Sequence, residues 1–295
     1  MSEDSPHRAV RSFVKRGGRT TRAQQRALGQ LLATYGVADA PGLVDYAAAK
    51  DHVADVIATI APVDSVERFE GLGVQVIQEF GRFISKTEVQ AGDTVIEARR
   101  FVVATGSGPF VPPIPGLDTV TYYTNENIFD LRDKPKHLII IGGGPIGMEM
   151  AQAHRRLGCN VTVIEGAKAM GKDDPEMAAI VLDNLRAEGI NIVEGAQAEK
   201  VSQSGDTVTA HTPKGDFAGS HLLIAVGRKA NIGKLDLHLA GVKPARNGIE
   251  VDDERDLEIV GPRILPCRRG CCHGVDRSEQ LGPDEWRVAF RLTWQ

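Results

Sequence analysis

The stretch from His137 to Glu165, HLIIIGGGPIGMEMAQAHRRLGCNVTVIE, constrains the fold more than any other part of this chain. Leu138 to Ile141 is an unbroken apolar run, the pattern of a strand buried on both faces. Gly142, Gly144 and Gly147 follow at G-x-G-x-x-G spacing. Ile146, Met150, Ala153 and Leu157 then recur at helical intervals and predict one apolar helix face. Gly158 ends that helix, Val161 to Ile164 reads as a second strand, and Glu165 closes it. The glycine triplet alone is weak evidence. Strand, glycine turn, helix, strand and terminal acid in this order are much stronger.

Each residue in that pattern has a physical task. Gly142 permits the tight turn, Gly144 lets a pyrophosphate approach the backbone, and Gly147 allows the helix to pack closely on the strand. The helix N-terminus, starting near Gly143, Pro145 and Ile146, offers N–H groups and the positive end of a dipole to phosphate. Glu165 would accept hydrogen bonds from an adenosine ribose 2′-hydroxyl and repel a 2′-phosphate, which favours NAD(H) over NADP(H). The competing reading is a structural glycine turn with no ligand.

Bulk properties fit a globular chain of one to two domains. Apolar residues make up 42% and charged residues 25%, and the net charge is −4, so there is no global pull toward nucleic acid or an anionic membrane. No apolar run reaches membrane-spanning length, and the N-terminus lacks the apolar core of a signal peptide. Cys159, Cys267, Cys271 and Cys272 form no spaced disulfide framework. The expected location is cytoplasmic.

Residues 1–40 differ from the rest. Arg8, Arg11, Lys15, Arg16, Arg19, Arg22 and Arg26 make a basic arm, opposed early on by Glu3 and Asp4. A solvated arm and an RNA-contacting arm are both open readings. Arg11 to Arg19, with Gln24 to Leu28 and Tyr35-Gly36, resembles the N-terminal lead-in of tRNA (guanine-N7-)-methyltransferases, although no methyl-donor site accompanies it. From Leu43 the texture changes. Val44 to Ile60 predicts an amphipathic helix, and Ser65 to Leu72 a shorter one. Val74 to Ile77, Arg82 to Ile84, Thr94 to Ala98 and Phe101 to Val103 predict strands, with a turn at Ala91 to Asp93. Pro109 to Pro115 reads as a linker.

Phe101 to Gly116, FVVATGSGPFVPPIPG, resembles the "ATG" segment of the flavin-dependent pyridine nucleotide–disulfide oxidoreductases, the relatives of dihydrolipoamide dehydrogenase and mercuric reductase. The similarity continues through Gly142 to Ala151, through Asp173 to Glu176, and through Leu222 to Arg228, and covers about residues 42–253. It implies an α/β fold with a Rossmann-like NAD-binding domain inserted in an incomplete FAD/NAD(P)-binding domain. The expected divisions are 1–40 as the arm, 41–116 as a partial FAD-binding domain, 117–242 as the NAD(P)-binding domain, and 243–295 as a partial return and divergent tail. The bottom-up pattern agrees: Asp174-Pro175 opens a helix carried by Met177, Ile180, Val181, Asn184 and Leu185, Ile190 to Val193 is a third strand, and Val201, Thr207 to Ala210 and Asp216 to Ala218 form an antiparallel meander. Leu222 to Val226 then returns to the sheet and presents Gly227.

The resemblance implies an FAD-dependent NAD(P)H oxidoreductase. It also implies that Glu149 lies near a nicotinamide–flavin contact, that Ala198 lies near adenine, and that Thr105 and Gly106 touch flavin. The expected NAD set is Gly142, Gly143, Gly144, Pro145, Ile146, Gly147, Glu165 and Gly227. The family's first glycine fingerprint, its redox disulfide and its C-terminal dimerisation domain have no counterpart in this sequence, so no catalytic residue is assigned. A non-catalytic NAD-binding module and an RNA-associated protein remain the alternatives. Cys267, Cys271, Cys272 and His273 lack a second spaced ligand pair, so no metal site is expected. Cys159 reads as a packing residue and His154 as part of a polar helix face. Trp286 to Trp294 alternates like a strand.

Overall fold

The computed structural model describes residues 44–245 and 248–250, together with the backbone of Ile264–Pro266 and Ala289–Phe290. The basic arm, the cysteines at 267, 271 and 272, and His273 lie outside the described residues. The described chain divides into two compact units. One holds residues 44–59 and Pro109–Gly227, and the other holds Ile60–Gly108 and the segments from Arg228 onward.

Helix α1 is Tyr46–Ile60, two residues shorter at its start than the periodicity predicts, with Asp45 Oδ1 accepting from Ala48 N at 3.0 Å. Helix α2, Val66–Gly71, is capped by Ser65. Strands β1 (Gly81–Phe83), β2 (Glu88–Ala91) and β3 (Thr94–Glu97) form an antiparallel sheet. The sequence pattern missed β2 and predicted a strand at Val74 to Ile77 that does not form. Val74 N instead closes the end of α2 by donating to Phe69 O at 3.0 Å, which removes it from any ladder. Strand β4, Phe101–Val103, precedes β5, Ser107–Pro109.

Strand β6, His137–Ile141, helix α3, Pro145–Arg156, and strand β7, Asn160–Ile164, reproduce the predicted unit. Helix α4, Pro175–Ala187, begins at the expected Asp174 cap, whose Oδ1 accepts from Glu176 N and Met177 N. Strand β8 is Asn191–Val193. The meander is β9 (Lys200–Ser204), β10 (Thr207–Thr212) and β11 (Gly215–Gly219), and β12 is His221–Ile224. The central sheet is parallel in the order β12-β6-β7-β8.

Its two faces explain the unbroken apolar strands. Leu138, Ile140, Val161, Val163 and Leu223 pack against Tyr46 of α1, Met148 and Ala151 of α3, and Leu182 and Leu185 of α4. Ile139, Ile141, Ile164, Leu222 and Ile224 face the meander through Val201, Val208 and Ala210. The proline-rich segment is more than a linker. Ile114, Leu117 and Val120 enter this second core, and Val201 N donates to Pro115 O at 2.9 Å.

Two helices bury faces shifted from those expected, although Met150 of α3 and Leu157 at its C-cap still pack against the core at half-burial and Leu185 of α4 is buried as expected. On α3 the buried residues are Gly147, Met148, Ala151 and His154, so His154 belongs to the core and not to a polar face. On α4 they are Ala178, Leu182 and Leu185, while Met177, Ile180 and Val181 are exposed. In both cases a small residue, Gly147 or Ala178, turns inward and lets the helix approach the sheet. Hydrophobicity alone favoured the adjacent stripe.

In the other unit, Phe83 and Phe101 meet edge to face at 5.2 Å within a core completed by Val89, Val103, Leu235, Leu237, Ala240 and Val242. Strand β13, Arg228–Ala230, pairs with β5. Strands β14 (Pro244–Ala245) and β15 (Gly248–Ile249) form a small hairpin. Strands β16 (Ile264–Pro266) and β17 (Ala289–Phe290) both run parallel to β4, which is therefore a middle strand and not an open edge.

A polar cluster sits beneath α1. Lys50 is 4% exposed, and its Nζ donates to Ile128 O at 2.8 Å while lying over the Tyr46 and Phe129 rings. His154 Nδ1 contacts Met150 O at 2.8 Å, and its buried Nε2 has no partner among the described residues, nor has the Tyr46 hydroxyl. Burial is the main cause holding His154 below its usual pKa of 6.5, with Lys50 and His221 adding repulsion. Burial lowers His137 and His221 as well. The folded state thus keeps these imidazoles neutral. As pH falls through the ordinary histidine value, the unfolded chain gains protons that the folded chain refuses, and stability drops. Thermal melting followed from about pH 8 to about pH 5.5 should show this fall, and His154→Gln should make it shallower. An identical pH slope in that variant would contradict the assignment.

Candidate dinucleotide site

The site lies at the carboxyl edge of the parallel sheet, where β6, β7 and β12 end. Gly142 follows β6 with φ +116°, a backbone conformation that side chains rarely adopt, and its N–H donates to Ile164 O at 2.9 Å. A Cβ on Gly142 would lie 2.4 Å from Ala225 O, so β12's exit also presses on the turn. A Cβ on Gly147 would lie 2.0 Å from Gly142 O. That contact fixes the rotation of α3 and brings its first turn against the sheet edge. Gly144 is the opposite case: a Cβ there would meet nothing within 4 Å. The loop is closed at Gly142 and Gly147 and open at Gly144.

The helix N-termini sharpen this distinction. Asp45, Ser65 and Asp174 cap α1, α2 and α4 with side-chain oxygens. Helix α3 has Gly144 at its N-cap and Pro145 at its start, and no side-chain cap. Its first N–H groups and dipole end are therefore left for another acceptor, and the open space beside Gly144 is where one would come. Arg155 and Arg156 in the last turn complement the other end of the dipole.

Glu165 is placed by its neighbours. Its Oε2 accepts from Gly143 N at 2.7 Å, and its Oε1 accepts from Ala167 N at 2.8 Å. A Cβ on Gly143 would collide with the Glu165 side chain at 2.9 Å, so the second glycine of the GGG run has its own role. Glu165 N donates to Val193 O, and Ala196 N donates to Glu165 O. Two further supports carry no signal in the sequence. Met170, at φ 51°, donates its N–H to Gly143 O at 2.8 Å, and Glu194 accepts from Ala169 N at 2.9 Å. Both act through the path of the 166–173 loop, which spacing does not reveal.

The remaining candidates are placed as follows. Pro145 and Glu149 are exposed on α3, and Ile146 is half-buried. Gly227 is exposed with φ +147°, its carbonyl accepting from Phe110 N at 3.0 Å. Ala198 is buried in the core beneath the meander. Cys159 is fully buried with a free thiol, and burial pushes that thiol up, so it packs and does not react.

Thr105 and Gly106 belong to the other unit. Asn231 clasps them, donating from Nδ2 to Thr105 O at 3.1 Å and from its backbone N to Gly106 O at 3.0 Å. Arg228 Nε donates to Ser107 Oγ at 2.8 Å. Thr105 lines a shallow recess with Arg82, Phe83, Val89 and Leu235. Among the described residues the strand–glycine turn–helix arrangement occurs at residues 137–156, and no second one accompanies Thr105. Among the described residues, no cluster of three or more His, Cys, Asp or Glu side chains could hold a metal, and no helix is long and apolar enough to cross a membrane.

The family model described as pyridine nucleotide-disulphide oxidoreductase matches residues 19–259, and the chain belongs to that family. A mercuric reductase from Bacillus cereus is 35% identical over 216 residues, covering 71% of this chain and 34% of its own. One from Streptomyces lividans is 38% identical over 186 residues, 62% of this chain and 39% of its own. Among solved structures, the HOCl-induced flavoprotein disulfide reductase RclA from Escherichia coli superposes with a TM-score of 0.67. It is 28% identical, and the match covers 75% of this chain and 52% of its own. The chain thus spans about a third of the length of the curated relatives it matches.

The open and closed glycines make a direct test of the geometry. Gly144→Ala should leave the melting temperature nearly unchanged, whereas Gly147→Ala should cost about 1–3 kcal/mol or more by overpacking. Chemical denaturation of both variants checks this, and equal losses would contradict the arrangement.

Proposed function

We propose that this chain binds NAD(H) at the β6–α3 turn and takes part in NAD(P)H- and FAD-dependent oxidoreduction of the kind its family name describes. The observation that carries the binding reading is that α3 is the described α-helix whose N-terminus has no side-chain cap and opens onto free space at Gly144. The pyrophosphate would lie against Gly143, Gly144, Pro145 and Ile146, with Gly142 and Gly147 shaping the turn. Glu165, already held by Gly143 N and Ala167 N, keeps lone pairs for a ribose 2′-hydroxyl and opposes a 2′-phosphate. Gly227 completes the proposed NAD surroundings, with Glu149 on the nicotinamide side; the adenine contact proposed for Ala198, which is buried in the core, rests on the family alone. The flavin contacts proposed for Thr105 and Gly106 rest on the family alone.

The oxidoreductase half of the reading comes from the relatives. Mercuric reductases and a flavoprotein disulfide reductase are oxidoreductases by name, and the family joins a pyridine nucleotide to a flavin. An NAD-binding module without turnover is the second reading, favoured by the uncapped α3 N-terminus and open Gly144, which make a nucleotide site independently of any flavin. Absorbance of the purified chain in the flavin region separates the two: a bound flavin spectrum supports the enzyme, and a spectrum without flavin supports the module.

Glu165→Gln tests the specificity. It removes the charge and keeps one oxygen acceptor, enough for one of the Gly143 and Ala167 amides, while its NH2 meets the other. NADH affinity should fall by roughly ten- to a hundredfold, the range of a charged hydrogen bond, while NADPH affinity rises or holds. Equal affinities for both nucleotides before and after the change would contradict the role given to Glu165.

A further inference from the structure

The outer face of the meander carries a hydrogen-bonded chain that nucleotide binding does not use. Strands β9, β10 and β11 turn Val201, Val208 and Ala210 into the core, so the alternate residues Ser202, Thr209, His211 and Asp216 face outward. Register places His211 opposite Asp216 and Ser202 opposite Thr209. Ser202 Oγ lies 2.9 Å from His211 Nε2, and His211 Nδ1 lies 2.8 Å from Asp216 Oδ1. The His211 side chain is 33% exposed and that of Asp216 is 64% exposed, so the group is reachable from solvent.

The proton positions follow from the partners. An ionised Asp216 can only accept, so Nδ1–H of a neutral His211 must donate to it. That leaves the Nε2 lone pair to accept the Ser202 hydroxyl proton. A hydroxyl, an imidazole and a carboxylate joined in this order form an activated nucleophile, a base and the group that fixes the base's tautomer. Their placement on adjacent strands of a rigid sheet holds the order without help from a mobile loop.

We propose that Ser202 is an activated acyl acceptor that reacts with small activated esters. Ser202 Oγ attacks the acyl carbon as its proton passes to His211 Nε2. The bond between the acyl carbon and the leaving oxygen breaks, and His211 returns the proton to the departing alkoxide or phenoxide. No oxidant or reductant enters, and the product is an O-acyl Ser202. The site lies on an open sheet face, not in a water-excluding pocket where preorganised donors stabilise an oxyanion most strongly. The acyl group should therefore persist as a modification and not turn over rapidly.

Ser204 supplies an internal control. It lies two residues along the same strand and the same face, and the residue opposite it on β10 is Thr207. The full chain is treated with p-nitrophenyl acetate, and acetylation is localised by fragmentation mass spectrometry. Ser202 should be acetylated about a hundredfold faster than Ser204, the lower end of what a positioned base contributes. His211→Ala should reduce Ser202 to the Ser204 rate, and Asp216→Asn should slow it while melting shows both variants folded. Equal labelling of Ser202 and Ser204, acetylation confined to other residues, or an unchanged Ser202 rate in His211→Ala would each overturn the proposal.

Discussion

The contact between Gly147 and the carbonyl of Gly142 governs the larger unit. With 2.0 Å between that oxygen and where a Cβ would sit, only glycine lets α3 rest this close to the end of β6. The helix rotation follows from it, and with the rotation comes the buried stripe of Met148, Ala151 and His154. The same closeness points the first turn of α3 across the sheet edge, where Gly144 leaves room. Packing and ligand geometry are two consequences of one steric requirement.

The edge is reinforced from three directions. Glu165 bridges the end of β7 to Gly143, Met170 returns the following loop to the same glycine, and Ala225 N donates to Ile141 O beside them. A site held by backbone groups would need little reorganisation to receive the proposed nucleotide, which would limit the entropy cost of binding. Beneath it, Tyr46 and Lys50 tie α1 to the same core that α3 and α4 cover. The buried Lys50 amine and the neutral His154 link that packing to pH.

Much of this was legible in the sequence because its signals are local. The apolar run at Leu138 to Ile141, the glycine spacing, Asp174-Pro175 and the alternation of the meander each specify their own element. The helix faces were legible in part: Met150, Leu157 and Leu185 do reach the core, but the centre of each face lies elsewhere. Ile146, Met150, Ala153 and Leu157 make as good a stripe as the true one, and the decision lay in a contact between Gly147 and a carbonyl that periodicity does not encode. Met177, Ile180 and Val181 misled for the same reason, since inward-facing Ala178 is the residue that permits close packing. Strand β2 was missed because Glu88 and Gln90 face outward and leave just two buried residues, Val89 and Ala91, to signal it. The supports at Met170 and Glu194 depend on loop path, and the Ser202–His211–Asp216 chain depends on strand register. Both are properties of the assembled sheet.

We propose one nucleotide site at the β6–α3 turn, made by an uncapped helix and an open glycine. Hydrogen–deuterium exchange of the intact chain with and without NADH tests it most directly. Protection should concentrate in the segments around Gly142 to Gly147 and Glu165 to Lys168, with the meander's outer strands unchanged. Saturating NADH that leaves both segments unprotected, or that protects other parts of the chain instead, would contradict it.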